Sequence, residues 1–209
     1  MFDFESLIYT INDNITTELC EEIIEKFEQD ERKVSCNSVL GYFPELKNNN
    51  ELHISNLEDW KDIDDKLAEN LTVGLKSYIN HLFRIYDDKM QFNYHTFNNL
   101  IDDGYTVERY SFEEYYNWHH DMKNNRIFGF MWFLSTMEAG EGGTIEFING
   151  TKIRPKKRTL LFFPVSWLFL NRSNVMKVLR KKYIVSGFIC QSTPENIKKI
   201  EEKNKEKNI

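Results

Sequence analysis

Cysteine is scarce in this 209-residue chain: Cys20, Cys36 and Cys190 are odd in number and far apart. That spacing excludes a zinc knuckle and favours a reduced intracellular setting. Long apolar runs are also missing, and none approaches the roughly eighteen residues of a membrane span. The opening Met1-Phe2-Asp3-Phe4-Glu5 carries acid where a secretory leader carries Lys or Arg. The expectation is a cytoplasmic protein (host cytoplasm if the gene is viral), neither exported by that route nor set in a membrane. No Gly-rich loop ends in Gly-Lys-Ser/Thr, no G-x-S-x-G elbow occurs and no Cys motif is paired, so those site types are set aside. Glu141-Gly142-Gly143-Thr144 reads as a glycine turn, not a phosphate cradle.

What is present is apolar and aromatic. Apolar residues make up 41% and aromatics 14%, with 16 Phe and 10 Tyr, enough for a packed interior. The length suits one domain with an addition. The net charge of -6 is uneven: residues 1–60 hold 4 basic and 14 acidic side chains, whereas residues 151–209 hold 15 and 4. A solvated face with a charged tail explains that better than an acidic partner. Nucleic acid is disfavoured, because basic and aromatic residues are not interleaved.

Ile15, Leu19, Cys20, Ile23, Ile24 and Phe27 recur at helical spacing, with Asn14 or Thr16 available as cap. A longer stripe of Trp60, Ile63, Leu67, Leu71, Leu75, Ile79 and Leu82 predicts a second helix to pack on a sheet. Residues 34–56 between them read as a loop with one short strand around Leu52-His53-Ile54. From Tyr105 the period falls to two. Strands are expected near 105–111, 115–121, 127–135, 143–148, 151–155, 159–164, 167–171 and 181–190, with a type I′ hairpin at Asn149-Gly150. Eight strands after two helices is the count of a jelly roll. The fold class is therefore α+β, with a helical part at 1–100, a β core at 104–190 and a charged tail at 194–209.

Trp118-His119-His120-Asp121 ends a predicted strand. Residues two apart on a strand share a face, so His119 and Asp121 can meet at one point while His120 points away. That is two-thirds of a 2-His-1-carboxylate iron site. Five His and 33 acids in 209 residues would produce about 0.8 such triplets by chance, so the surroundings decide. His53, His81 and His95 have no matched partner nearby and read as surface or capping residues.

The surroundings run in a definite order: His119-x-Asp121, a buried strand from Arg126, Gly142-Gly143-Thr144 with Phe147, Asn149-Gly150, Leu160-Leu161-Phe162-Phe163-Pro164, Trp167, then Lys182-Tyr183-Ile184-Val185. This order resembles the prolyl 4-hydroxylase-like branch of the Fe(II)- and 2-oxoglutarate-dependent oxygenases over residues 104–190. The resemblance implies a double-stranded β-helix, cupin-like, on supporting N-terminal helices, in one domain over 1–193. It implies Fe(II), 2-oxoglutarate and O₂, with ascorbate a further candidate, and hydroxylation of a C–H bond in a peptide, protein or small molecule, prolyl residues first. Carried over, His119 and Asp121 are metal ligands and catalytic, Lys182 pairs with the far carboxylate of 2-oxoglutarate, and Tyr110 and Tyr116 add hydroxyl contacts.

One position departs from the pattern. Where the family places a distal His, this chain has Asn171, and no His follows His120. An amide oxygen is neutral and a weaker donor to Fe(II) than imidazole. Asn171 is thus the third, weak ligand of an active dioxygenase, or the mark of a pseudo-enzyme kept as a binding or scaffold module. Strand alternation expects Asn171 to share a face with Phe169 and to look toward His119 and Asp121. Neither the substrate nor the oligomeric state is written in the chain.

Overall fold

The computed structural model describes residues 4–35, 37, 38, 41–86, 99–123 and 125–192. A 3-10 turn at Phe4–Leu7 leads into β1 (Tyr9–Ile11) and helix α1 (Thr17–Gln29). Five short strands follow: β2 (Val34–Ser35), β3 (Asn37–Ser38), β4 (Gly41–Tyr42), β5 (Lys47–Asn48) and β6 (Asn50–His53). After helix α2 (Lys61–Tyr86) come β7 (Leu100–Asp102), β8 (Thr106–Tyr110), β9 (Tyr115–His119) and β10 (Arg126–Phe133). The chain then forms β11 (Ile145–Phe147), β12 (Lys152–Ile153), β13 (Thr159–Pro164), β14 (Asn171–Ser173) and β15 (Lys182–Gln191).

The larger sheet has the order β1-β13-β10-β15-β8-β6-β2, with β7 also on β15, and the smaller has the order β12-β11-β14-β9-β5. The two sheets meet where Phe147 of β11 packs edge-on against Phe163 of β13, centroids 5.3 Å apart. This is the jelly roll expected from the strand count. Its helices are the expected cover of the larger sheet. Thr16, the second of the two cap candidates, accepts the Leu19 N–H at 3.1 Å and so starts α1. Tyr78 of α2 stacks on Phe162 at 4.9 Å and meets Phe128 edge-on at 5.0 Å. No helix among the described residues is long and apolar enough to cross a membrane.

Four expectations need correction. The buried stripe of α2 runs through Gly74 and Tyr78, with Leu75 and Ile79 only partly buried beside it. Gly74 marks a close approach: a Cβ there would lie 2.4 Å from Leu160 Cδ2. The segment 34–56 holds five strands, not one, because two-residue strands are too short to show a period. The Asn149-Gly150 turn has Gly150 at φ 92° and Asn149 outside the positive-φ set, so it is not type I′. Gly150 N–H reaches Phe147 O and Phe147 N–H reaches Thr151 O, both at 2.9 Å, as in a type I turn followed by a glycine bulge. Finally, Trp167–Phe169 is a 3-10 turn, capped where Ser166 accepts the Leu168 N–H at 3.2 Å. The strand expected there starts instead at Asn171.

Cys20 and Cys190 are buried free thiols. Cys36, His95 and the expected tail at 194–209 lie outside the described residues. Gly74→Val should overpack the contact between α2 and the sheet and lower stability by about 1–3 kcal/mol. Urea unfolding followed by circular dichroism checks this, the expected outcome being a lower midpoint at unchanged slope.

Candidate active site

Between the two sheets lies a cavity of about 370 Å³, lined by residues of both. Three of the residues singled out in the sequence meet at its wall. His119 Nε2 is 3.5 Å from Asp121 Oδ1, and both side chains are nearly buried. Asn171 is paired in register with His119 across β14 and β9, and its Nδ2 donates to Asp121 Oδ2 at 3.0 Å. His120 is exposed.

The route to this convergence differs from simple strand alternation. β9 ends at His119, and Asp121 lies in the segment after it. The register between β14 and β9 also slips: Asn171 faces His119 but Ser173 faces Tyr116, so β9 carries one extra residue, a bulge. The bulge lets both Tyr116 and His119, three residues apart, line the cavity. Their rings stack at 3.5 Å, 4° from parallel. Phe169 is in the 3-10 turn, so Asn171 reaches the cavity as the first residue of its strand rather than by alternation with Phe169.

The tautomer of His119 follows from one bond. Its Nδ1 lies 2.8 Å from Asn117 O, and a carbonyl only accepts, so Nδ1 carries the hydrogen. Neutral His119 therefore aims the lone pair of Nε2 at a carboxylate oxygen. Two acceptors facing each other at 3.5 Å call for a positive charge between them, a proton or a metal ion. Burial pushes the Asp121 carboxyl up, but His119, the Asn171 amide and the Arg126 charge hold it below the usual carboxylate value. The donor set therefore fits a divalent cation at His119 Nε2 and Asp121. Asn171 offers a third donor once its amide turns its oxygen inward. Among the described residues no third His, Cys, Asp or Glu joins the pair.

Lys182 is fully buried on β15. Its Nζ hydrogen-bonds to Ser173 Oγ and to Gly143 O (3.2 Å), and lies 4.0 Å from the centre of the Tyr110 ring. Ser173 and Tyr110 line the cavity, so Lys182 stands behind them. Burial brings its ammonium down to about 7, with Glu108 raising it and Lys47 lowering it. Tyr110 donates its hydroxyl to Glu108 Oε2 at 2.7 Å. Burial and that carboxylate raise the Tyr110 phenol well above its usual value, and burial also raises Tyr116.

Three residues of this wall escaped the sequence: Lys47, Glu51 and Glu108, all buried. Lys47 on β5 pairs with Glu108 on β8 at 3.0 Å and with Glu51 on β6. Burial opposes its charge, yet Glu108 and Glu51 raise the Lys47 ammonium above its usual value. Glu108 was legible, since it lies two residues before Tyr110 and so on the same face of β8. Lys47 was not, because it sits in a two-residue strand. His53 is exposed, hydrogen-bonds Thr106 through Nδ1 (3.2 Å) and also lines the cavity. His81 stacks on Tyr9 at 4.2 Å and caps Ser6 O.

The family model described as the 2OG-Fe(II) oxygenase superfamily matches residues 105–190. Over that stretch the barrel is similar to that superfamily. The matched segment contains β8 to β14 and nearly all of β15, and with them His119, Asp121, Asn171 and Lys182. The likeness in fold extends beyond it. A viral collagen prolyl hydroxylase from Paramecium Bursaria Chlorella virus-1, solved with 2OG, superposes with a TM-score of 0.64 at 18% identity, covering 90% of this chain and 97% of that one. A Pseudomonas putida prolyl-4-hydroxylase gives 0.62 at 13% identity over 88% and 92% of the two chains. A prolyl hydroxylase from Trichoplax adhaerens, solved with a hypoxia inducible factor peptide fragment, gives 0.65 at 14%, over 89% and 84%. No curated protein matches the chain. At these identities the likeness is one of fold.

Lys182 generates a prediction with a definite sign. Its folded pKa, near 7, lies below the unfolded value of about 10.4. Between those limits the unfolded chain holds a proton that the folded one lacks, so this group makes stability rise with pH. Lys182→Met removes that contribution and should flatten the slope between about pH 7 and 10. It should also stabilise the fold near neutrality by about 1–3 kcal/mol, since a buried amine whose charge burial opposes gives way to an apolar chain. Thermal melts of both proteins across pH check it.

Proposed function

We propose that the protein is an Fe(II)- and 2-oxoglutarate-dependent dioxygenase that hydroxylates a C–H bond, with a prolyl residue of a peptide or protein as the first substrate to test. The observation that carries this reading is the facing pair of His119 Nε2 and Asp121 Oδ1 in the wall of the cavity. A prolyl hydroxylase of the same fold is recorded with a peptide, which supports a peptide or protein substrate here.

In this reading His119 and Asp121 hold Fe(II), and Asn171 supplies the weak third contact. When bound, iron with 2-oxoglutarate and O₂ supplies C–H oxidation coupled to decarboxylation of the keto acid. The chain's own part is positioning. Asn117 O fixes the imidazole through Nδ1, so that Nε2 faces inward with a free lone pair. Tyr116 stacks on that ring and stops it turning. Lys182 receives the far carboxylate of 2-oxoglutarate, exchanging its bonds to Ser173 and Gly143 for a charge-assisted one. Ascorbate remains a candidate for keeping the iron reduced.

A second reading has its own support. With its nitrogen on Asp121, Asn171 satisfies the carboxylate without any metal, as a pseudo-enzyme retained for binding would need. Anaerobic Fe(II) titration with 2-oxoglutarate separates the two, because only the metal-loaded ternary complex absorbs in the visible region by charge transfer. Asn171→His should tighten Fe(II) binding tenfold or more, about 1.4 kcal/mol. Turnover of 2-oxoglutarate before the substitution marks an enzyme, and turnover only after it marks a pseudo-enzyme. Unchanged metal affinity in Asn171→His removes the residue from the ligand set.

A further inference from the structure

Glu108 is a carboxylate built into the cavity wall, and its acceptor positions are taken. Oε2 accepts from Tyr110 OH at 2.7 Å, Asn49 Nδ2 at 2.9 Å and Lys47 Nζ at 3.0 Å, while Oε1 accepts from Ser186 OH at 2.6 Å. Four donors hold it ionised in spite of burial: desolvation raises its pKa, but Lys47, Ser186 and Tyr110 bring it below the usual carboxylate value. A carboxylate so engaged has little left with which to recognise a cationic substrate. Its effect on a ligand is indirect.

Two consequences follow from elementary counting. A phenol has one hydrogen to donate, and Tyr110 gives it to Glu108, so that hydroxyl is withheld from any bound carboxylate. The charges also balance. Even with Lys182 protonated behind the wall, Lys47 and Lys182 are opposed by Glu51 and Glu108, all four buried, which leaves no surplus positive charge around this end of the cavity. Lys182 and Glu108 address the same tyrosine, one over its ring and the other at its hydroxyl. Removing the charge of Glu108 would leave one cation in excess, and removing its acceptor oxygens would also free the Tyr110 hydroxyl, which together make an anion site.

We propose that Glu108 is a specificity-determining residue: an internal carboxylate that takes the hydroxyl and the ionic balance which the far end of a dicarboxylate would use, and so lowers the affinity of the cavity for 2-oxoglutarate. This rests on the reading of the cavity as a 2-oxoglutarate site and adds what tunes it. A keto acid without the second carboxylate does not meet Glu108's competition, so the cavity is shifted toward shorter or monocarboxylic keto acids.

The test titrates metal-free protein by calorimetry with 2-oxoglutarate and with 2-oxobutyrate, which lacks the far carboxylate. Glu108→Gln should bind 2-oxoglutarate at least tenfold more tightly than wild type, with 2-oxobutyrate changed less than twofold. Adding Lys182→Ala to that variant should abolish the gain. Glu108→Gln removes the charge but keeps an acceptor for Tyr110, whereas Glu108→Met frees the hydroxyl as well, so Glu108→Met should gain at least as much and carries the readout where Glu108→Gln does not fold. Equal or weaker 2-oxoglutarate binding in the folded variant overturns the proposal, as does an equal gain for both acids. Wild-type Fe(II) affinity and turnover test the dioxygenase reading separately, so either idea can fail while the other stands.

Discussion

The ion pair between Lys47 and Glu108 is the contact on which the interior depends. It joins β5 of the small sheet to β8 of the large one across the cavity. Two unlike charges in a dry interior are held together strongly, but each has been taken from water at a cost of several kcal/mol. The structure offsets that cost with hydrogen bonds from Asn49, Tyr110 and Ser186 to the carboxylate, and with Glu51 and the Tyr116 ring about the ammonium. Losing either partner would strand a buried charge, a loss of about 3–5 kcal/mol. The pair adds a tie between sheets whose strand register already sets which side chains of β8 and β9 face inward. Tyr110 contacts the pair through its hydroxyl and Tyr116 through its ring, which in turn stacks on the imidazole of His119.

From that frame the candidate metal site inherits its geometry. A bulge in β9 spaces Tyr116 and His119 so that the rings stack, and Asn117 O fixes the tautomer. What the site lacks is a third strong donor. A second imidazole would complete the set, whereas Asn171 brings an amide that gives its nitrogen to Asp121. With its nitrogen on Asp121 the residue satisfies the carboxylate, and the amide would have to turn before its oxygen faced the same point. Fold and activity are thus separable in this chain.

Outside the barrel, the helices do plain structural work that the site needs. α2 presses Gly74 and Tyr78 against Leu160 and Phe162, and Asn14 ties Trp132 Nε1 at 2.6 Å to the chain entering α1. Burying the outer face of the large sheet lets β10, β13 and β15 be apolar on both sides. The polar residues of the cavity are then confined to the inner face, where both sheets contribute to a single wall.

Much was legible in the order of residues. Stripes at helical spacing located both helices, short periods and apolar runs located most strands from β8 onward, and the order from His119-x-Asp121 to Lys182-Tyr183 pointed to the barrel and to five of its cavity-wall residues, Tyr110, Tyr116, His119, Asp121 and Asn171. These are local or periodic signals, and a chain carries them before it folds. Tertiary structure alone decided the rest. Pairing Lys47 with Glu108 joins residues sixty-one apart from strands in different sheets, and no period marks a two-residue strand. The bulge that brings His119 over Tyr116 exists only against β14, since a register slip is a property of two strands and not of one. Tyr110 looked like a hydroxyl for a ligand until its one hydrogen was found on Glu108. A hydrogen bond has a direction, and only the folded neighbours determine where it points.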